Sequence, residues 1–194
     1  MHFTSITLAS SLALLASAVP HQGHGYSHQH SHLAPRSETF ALKVTNNCAT
    51  QKTFGLFQIT GDFQMIQKSQ PMPIPSGGSN TMQAPYRDLG MRLSATADQG
   101  PDAQWDAQAL FEFGWGEYMG EEGTAYNLSF MEGCDPDIGI LVTPDNSKCM
   151  PKSCYPDSCS LSDAWTNEDQ IADGSPADTV CYQGKTNFNV VFCP

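Results

Sequence analysis

The chain has 194 residues and carries 9 Lys and Arg against 20 Asp and Glu, a formal charge of −11. That length is about one domain with its own hydrophobic core. The charge excludes nucleic acid and an anionic membrane as partners, because both need clustered Lys and Arg. The 7 cysteines are too many for a typical cytosolic chain, and their number is odd.

In chain order, Met1-His2-Phe3 precedes an apolar run from Ile6 to Ala16, closed by the small-x-small pattern Ala16-Ser17-Ala18. The run falls short of the ~20 apolar residues a bilayer span needs, so residues 1–18 read as a signal peptide. No later stretch matches its hydrophobicity, and Val191-Phe192-Cys193-Pro194 carries no lipidation signal. The expected location is secreted, extracellular or in the cell wall, with mostly oxidised cysteines.

Residues 19–38 form a polar tract with His21, His24, His28, His30 and His32. Imidazoles at this density bind Cu(II), Ni(II) or Zn(II), so metal binding by the tract is one functional alternative. The other reading is a disordered spacer or propeptide. Cleavage after Ala18 leaves Pro20 second in the chain, without the backbone amide that an amino-terminal copper site requires. A cut after Arg36 removes the tract altogether. No cofactor is expected.

From Thr39 to Pro194 the chain reads as strands. Phe40, Leu42 and Val44 alternate with polar neighbours, as do Leu89, Met91, Leu93 and Ala95; Phe111, Phe113 and Trp115; Tyr126, Leu128 and Phe130; and Phe188, Val190 and Phe192. Period two predicts one buried face and one wet face, as in antiparallel sheets. Turn chemistry separates the runs at Pro71 to Gly78, Gly100-Pro101-Asp102 and Asp173-Gly174-Ser175-Pro176. No window has a sustained helical period. The expected class is all-β, an antiparallel β-sandwich with a short irregular cysteine-containing excursion before the last strand.

The domain opens with Phe40-x-Leu-x-Val-Thr-Asn-Asn-Cys48 and closes with Thr179-Val-Cys181 and Asn187-Phe-Asn-Val-Val-Phe-Cys193-Pro194. Between them lie Ala109-Leu-Phe-Glu112-Phe and Tyr126-Asn-Leu-Ser-Phe-Met-Glu-Gly133. These segments resemble thaumatin-like proteins, and the small secreted fungal branch in particular, which includes the yeast-phase-specific and antigenic members. The resemblance covers roughly Thr39 to Pro194 and is most specific at the two ends.

It implies that Cys48 pairs with Cys193 and Cys149 with Cys181. Of the remaining three, Cys154 with Cys159 would close a small loop and leave Cys134 unpaired or bound to another molecule. Cys134 with Cys154 is the alternative. A zinc site from Cys149, Cys154 and Cys159 is a rival that oxidation disfavours. The chain is expected to be monomeric unless the odd cysteine pairs between molecules.

The resemblance also implies an acidic cleft that binds or cuts β-1,3-glucan. Glu112 matches the family's Glu; Asn127 and Glu132 stand where two Asp belong. The family's Arg would sit near Ala95 and is missing, with Arg92 expected on the other face of its strand. The third Asp is absent unless Asp102 or Asp106 replaces it. Hydrolysis needs two carboxylates, one with a raised pKa, and Glu112 with Glu132 would be that pair in a weak endo-β-1,3-glucanase.

Non-catalytic binding of β-glucan or another wall polysaccharide needs only aromatic faces and hydrogen bonds. Trp105, Trp115, Tyr118 and Tyr126 cluster near these strands, although Trp115 shares the alternation of core residues. Asn127-Leu128-Ser129 is a glycosylation sequon, and a glycan there would fill the same cleft.

Overall fold

The computed structural model describes residues 38–131, 138–155, 158–171 and 177–194. The stretch expected to be a signal peptide, the tract with its five histidines, Glu132, Cys134 and the expected turn at Asp173 to Pro176 lie outside the described residues.

The strands are β1 (Thr39–Asn46), β2 (Lys52–Ile59), β3 (Met65–Gln67), β4 (Met72–Ile74), β5 (Gly78–Pro85), β6 (Met91–Ser94), β7 (Leu110–Tyr118), β8 (Glu121–Ser129), β9 (Ile140–Pro144), β10 (Lys152–Tyr155), β11 (Ser158–Cys159), β12 (Ala164–Trp165), β13 (Thr179–Cys181) and β14 (Phe188–Phe192). They form two sheets. Six strands run in the order β11-β10-β9-β14-β1-β5, and eight are built on β12-β8-β7-β6-β2-β3 with β13 beside β8 and β4 beside β2. Pairing is antiparallel except for β1 with β14 and β8 with β12. Among the described residues the only helical turns are short 3-10 segments at Ala97–Gln99, Asp102–Trp105 and Glu168–Ile171.

The alternating residues meet between the sheets. Phe40, Leu42, Val44 and Val190 come from the six-stranded sheet and Leu93, Phe111 and Leu128 from the eight-stranded one, all at 0% exposure. Rings interlock across the gap: Phe40 lies 5.2 Å from Phe113, Phe54 5.0 Å from Phe192, and Phe111 5.0 Å from Phe188, all edge to face. That geometry sets the positive ring edge against the negative ring face.

Three local readings differ from expectation. Leu89 precedes β6 and is 55% exposed rather than core. β2 has no clean alternation because it is buried on both faces, so period two could not reveal it. The Pro-rich stretch at Pro71 to Gly78 holds the short strand β4, whose Pro73 pairs with Thr53. The turn is confined to Pro75 to Gly77, where Gly77 adopts φ 72°.

Three disulfides join the ends and the excursion to the sandwich. Cys48 and Cys193, 145 residues apart, link the parallel neighbours β1 and β14 just past their ends. Cys149 and Cys181 staple the loop before β10 to β13, from one sheet to the other. Cys154 and Cys159 face each other across the β10–β11 hairpin. All three cysteines of the alternative zinc set are therefore held in disulfides.

Candidate functional site

The site lies on the outer face of the eight-stranded sheet. Register aligns Phe57 with Arg92, Arg92 with Glu112, and Glu112 with Asn127, so these four form one row across β2, β6, β7 and β8. Their sequence neighbours Leu56, Leu93, Phe111 and Leu128 point into the core instead. Arg92 thus shares the face of Glu112, and its Nη2 lies 3.0 Å from Glu112 Oε1. Ala95 is in the core with Leu93, and Arg92, on the opposite face of that strand, is on the face that carries Glu112.

A carboxylate that the sequence reading did not select completes the row. Asn127 Nδ2 and Trp165 Nε1 both donate to Asp178 Oδ1, each at 2.8 Å. Asp178 immediately precedes β13, and the excursion that carries it is held by a buried cation. Lys152, 3% exposed, donates from Nζ to the carbonyls of Ser162 at 2.8 Å and Ala177 at 2.6 Å. The same ammonium stands 5.9 Å over the ring of Tyr126. Burial pulls the Lys152 pKa down, while the charges of Asp163 and Asp178 oppose that fall.

Around the Arg92–Glu112 pair the surface sinks into two lobes. The first, about 480 Å³, runs over Gly90, Gly114, Ala125 and Asn127 to Asp178, with Trp115 at its margin. It is hollow because the outward residues are small: a Cβ on Gly114 would come within 3.1 Å of the Gly90 backbone. The second, about 510 Å³, lies over Leu110 and Met131 between Trp105 and Trp165, with Gln104 and Asp106 in its wall. Arg92 and Glu112 line both lobes.

Glu112 has its pKa raised. Burial is the main cause and the Asp178 charge adds to it; the Arg92 guanidinium, by charge and hydrogen bond, works against both. A carboxyl so held can donate a proton or a hydrogen bond at a pH where an exposed one is ionised.

Of the residues selected from sequence, Glu112 and Asn127 stand side by side and Asp106 lines the second lobe. Asp102 is exposed on its 3-10 turn and is not in the cleft wall. Glu132 lies outside the described residues. Among the aromatics, Tyr126 turns into the core, its ring 5.3 Å from Phe188 and its hydroxyl donating to the Met150 carbonyl at 2.7 Å. Trp115 is half-buried at the core edge, with the Arg87 guanidinium 5.7 Å above its ring. Trp105 is 52% exposed at the second lobe. Trp165 and Asp178 had no sequence signal beyond their place in an Asp- and Ser-rich segment, because only folding of the excursion over β8 brings them to the row.

The described residues form an all-β, two-sheet protein stapled by three disulfides. A solved protein shares this architecture: the crystal structure of the protein elicitor MoHrip2 from Magnaporthe oryzae superposes with a TM-score of 0.51, at 16% identity, over 80% of this chain and 99% of that one. No family model matches the chain, and no curated protein does.

Proposed function

We propose that this is a secreted, wall-associated or extracellular protein of the thaumatin-like type, from its small fungal branch, that binds β-glucan at the outer cleft without cutting it. One observation carries the reading: Arg92, Glu112, Asn127 and Asp178 converge on a single groove flanked by tryptophans. Sugars are held by such combinations of aromatic faces with amide and carboxylate hydrogen bonds. The fold in common with a protein elicitor and the three disulfides support a role outside the cell, in an oxidising compartment.

The engagement of the Asn127 amide nitrogen with Asp178 supports a sequon left unglycosylated, which keeps the groove open. Co-sedimentation with insoluble β-1,3-glucan tests the proposal. The wild-type protein is expected in the pellet and Arg92→Ala in the supernatant; a wild-type protein that stays soluble overturns the reading.

A second reading, weak hydrolysis, is favoured by the raised pKa of Glu112 beside the Asp178 charge. It replaces Glu132 with Asp178 as the second carboxylate. It requires reducing sugar released from laminarin by the wild type and none by Glu112→Gln.

A further inference from the structure

Among the described residues, three buried side-chain polar atoms have no hydrogen-bond partner, Asn127 Oδ1, Trp115 Nε1 and Gln104 Oε1, and all three residues line this one cleft. Buried polar groups are nearly always satisfied, so orphans gathered in one groove point to a ligand that supplies the partners. The set contains two acceptors and one donor, spread over both lobes. Hydroxyl groups, which both donate and accept, fit it; a purely anionic or purely cationic ligand does not.

The second lobe adds apolar chemistry. Trp105 presents half its surface beside a floor of Leu110 and Met131. Opposite, the Trp165 indole is fixed by its hydrogen bond to Asp178, so its face is set before any ligand arrives. Gln104 is 1% exposed and anchored through Nε2 to the carbonyl of Gly100 at 3.2 Å, which leaves its Oε1 as the acceptor in the wall. A flat apolar face with an adjacent acceptor matches a pyranose ring, whose C–H face stacks on indole while its hydroxyls point outward. The net charge of −11 selects a neutral sugar over an acidic one.

We propose that the second lobe is a sugar subsite in its own right, with Trp105 as its stacking platform. The cleft then takes a linear neutral glycan that passes over the Arg92–Glu112 pair and fills both lobes. This rests on the glucan-binding reading and adds to it the length of chain recognised and the residue that reads it.

Titration of the full-length secreted protein with laminari-oligosaccharides, from disaccharide to hexasaccharide, by isothermal calorimetry tests the subsite. Affinity is expected to rise about tenfold or more with length and then to plateau, the second lobe contributing the rise. Trp105→Ala should lower hexasaccharide affinity about tenfold toward that of the disaccharide and so flatten the dependence on length; Trp105→Phe should restore most of that dependence. Because Trp105 is exposed, the melting temperature of the variants should match the wild type, which separates lost stacking from lost folding. A wild type whose affinity does not depend on length, or a Trp105→Ala protein that keeps the full dependence, overturns the subsite while glucan binding stands. A wild type that binds no oligosaccharide overturns both.

Discussion

The two faces of the eight-stranded sheet are made by alternate residues of the same strands, yet they are built on opposite terms. Inward, Leu93, Phe111 and Leu128 are fully buried and fill the space between the sheets. Outward, their neighbours Arg92, Glu112, Gly114 and Asn127 combine charge, amide and the absence of a side chain, and they enclose a groove. The inner face has its partners supplied by the other sheet; the outer face keeps Asn127 Oδ1 unpaired. An outward groove therefore costs this fold little core, since the pleat separates the two faces residue by residue.

The comparison breaks most visibly at Phe111. Phe111→Ala should lower unfolding free energy by about 3–5 kcal/mol in urea denaturation, through lost burial and a cavity. Its outward neighbour should behave differently: Glu112→Gln is expected to abolish glucan pull-down with a much smaller change in stability. Equal losses from both substitutions would mean that the faces are not separate in energy.

Next in size is Lys152, which ties the outer face to the excursion. Lys152→Met removes the ammonium that donates to the Ser162 and Ala177 carbonyls and should cost on the order of 2–4 kcal/mol. It should weaken glucan binding as well, because Asp178 follows Ala177 directly. Unchanged binding in a folded Lys152→Met protein would show that Asp178 is held in the cleft by its Asn127 and Trp165 bonds alone.

A smaller effect follows from titration. Glu112 binds its proton more tightly when folded than the ordinary value of 4.5 allows. The folded state then holds more protons than the unfolded one between 4.5 and the raised value. Stability should fall as pH rises through that window, and Glu112→Gln should remove that part of the slope. Thermal melts across weakly acidic pH check the sign; a slope unchanged by Glu112→Gln would assign it to another group.

The smallest expected effect is none: the intact mass of the protein expressed through a secretory pathway should carry no glycan at Asn127, and Asn127→Gln should leave its glycosylation state unaltered.

Much of the inner face was legible in the sequence. Phe40, Leu42 and Val44 alternate because β1 has one buried face, and the same period identifies the residues of β7, β8 and β14. β2 escaped because burial on both sides erases the period, and Leu89 misled because it continues an alternation beyond the end of its strand. The outer site was legible in part. Glu112 and Asn127 follow from the resemblance, but Arg92 was expected away from the cleft because the resemblance sought the arginine near Ala95, and the fold turns Ala95 into the core beside Leu93.

By itself the sequence determined what acts locally: which positions alternate, where Pro and Gly turn the chain, the acidity, and a cysteine count that requires an unequal pairing. Tertiary structure alone decided which distant groups meet. Asp178 stands 51 residues from the Asn127 that donates to it, and Trp165 reaches the same oxygen from a third segment. Cross-strand register and the docking of the excursion bring them together, and neither leaves a period or a spacing in the chain.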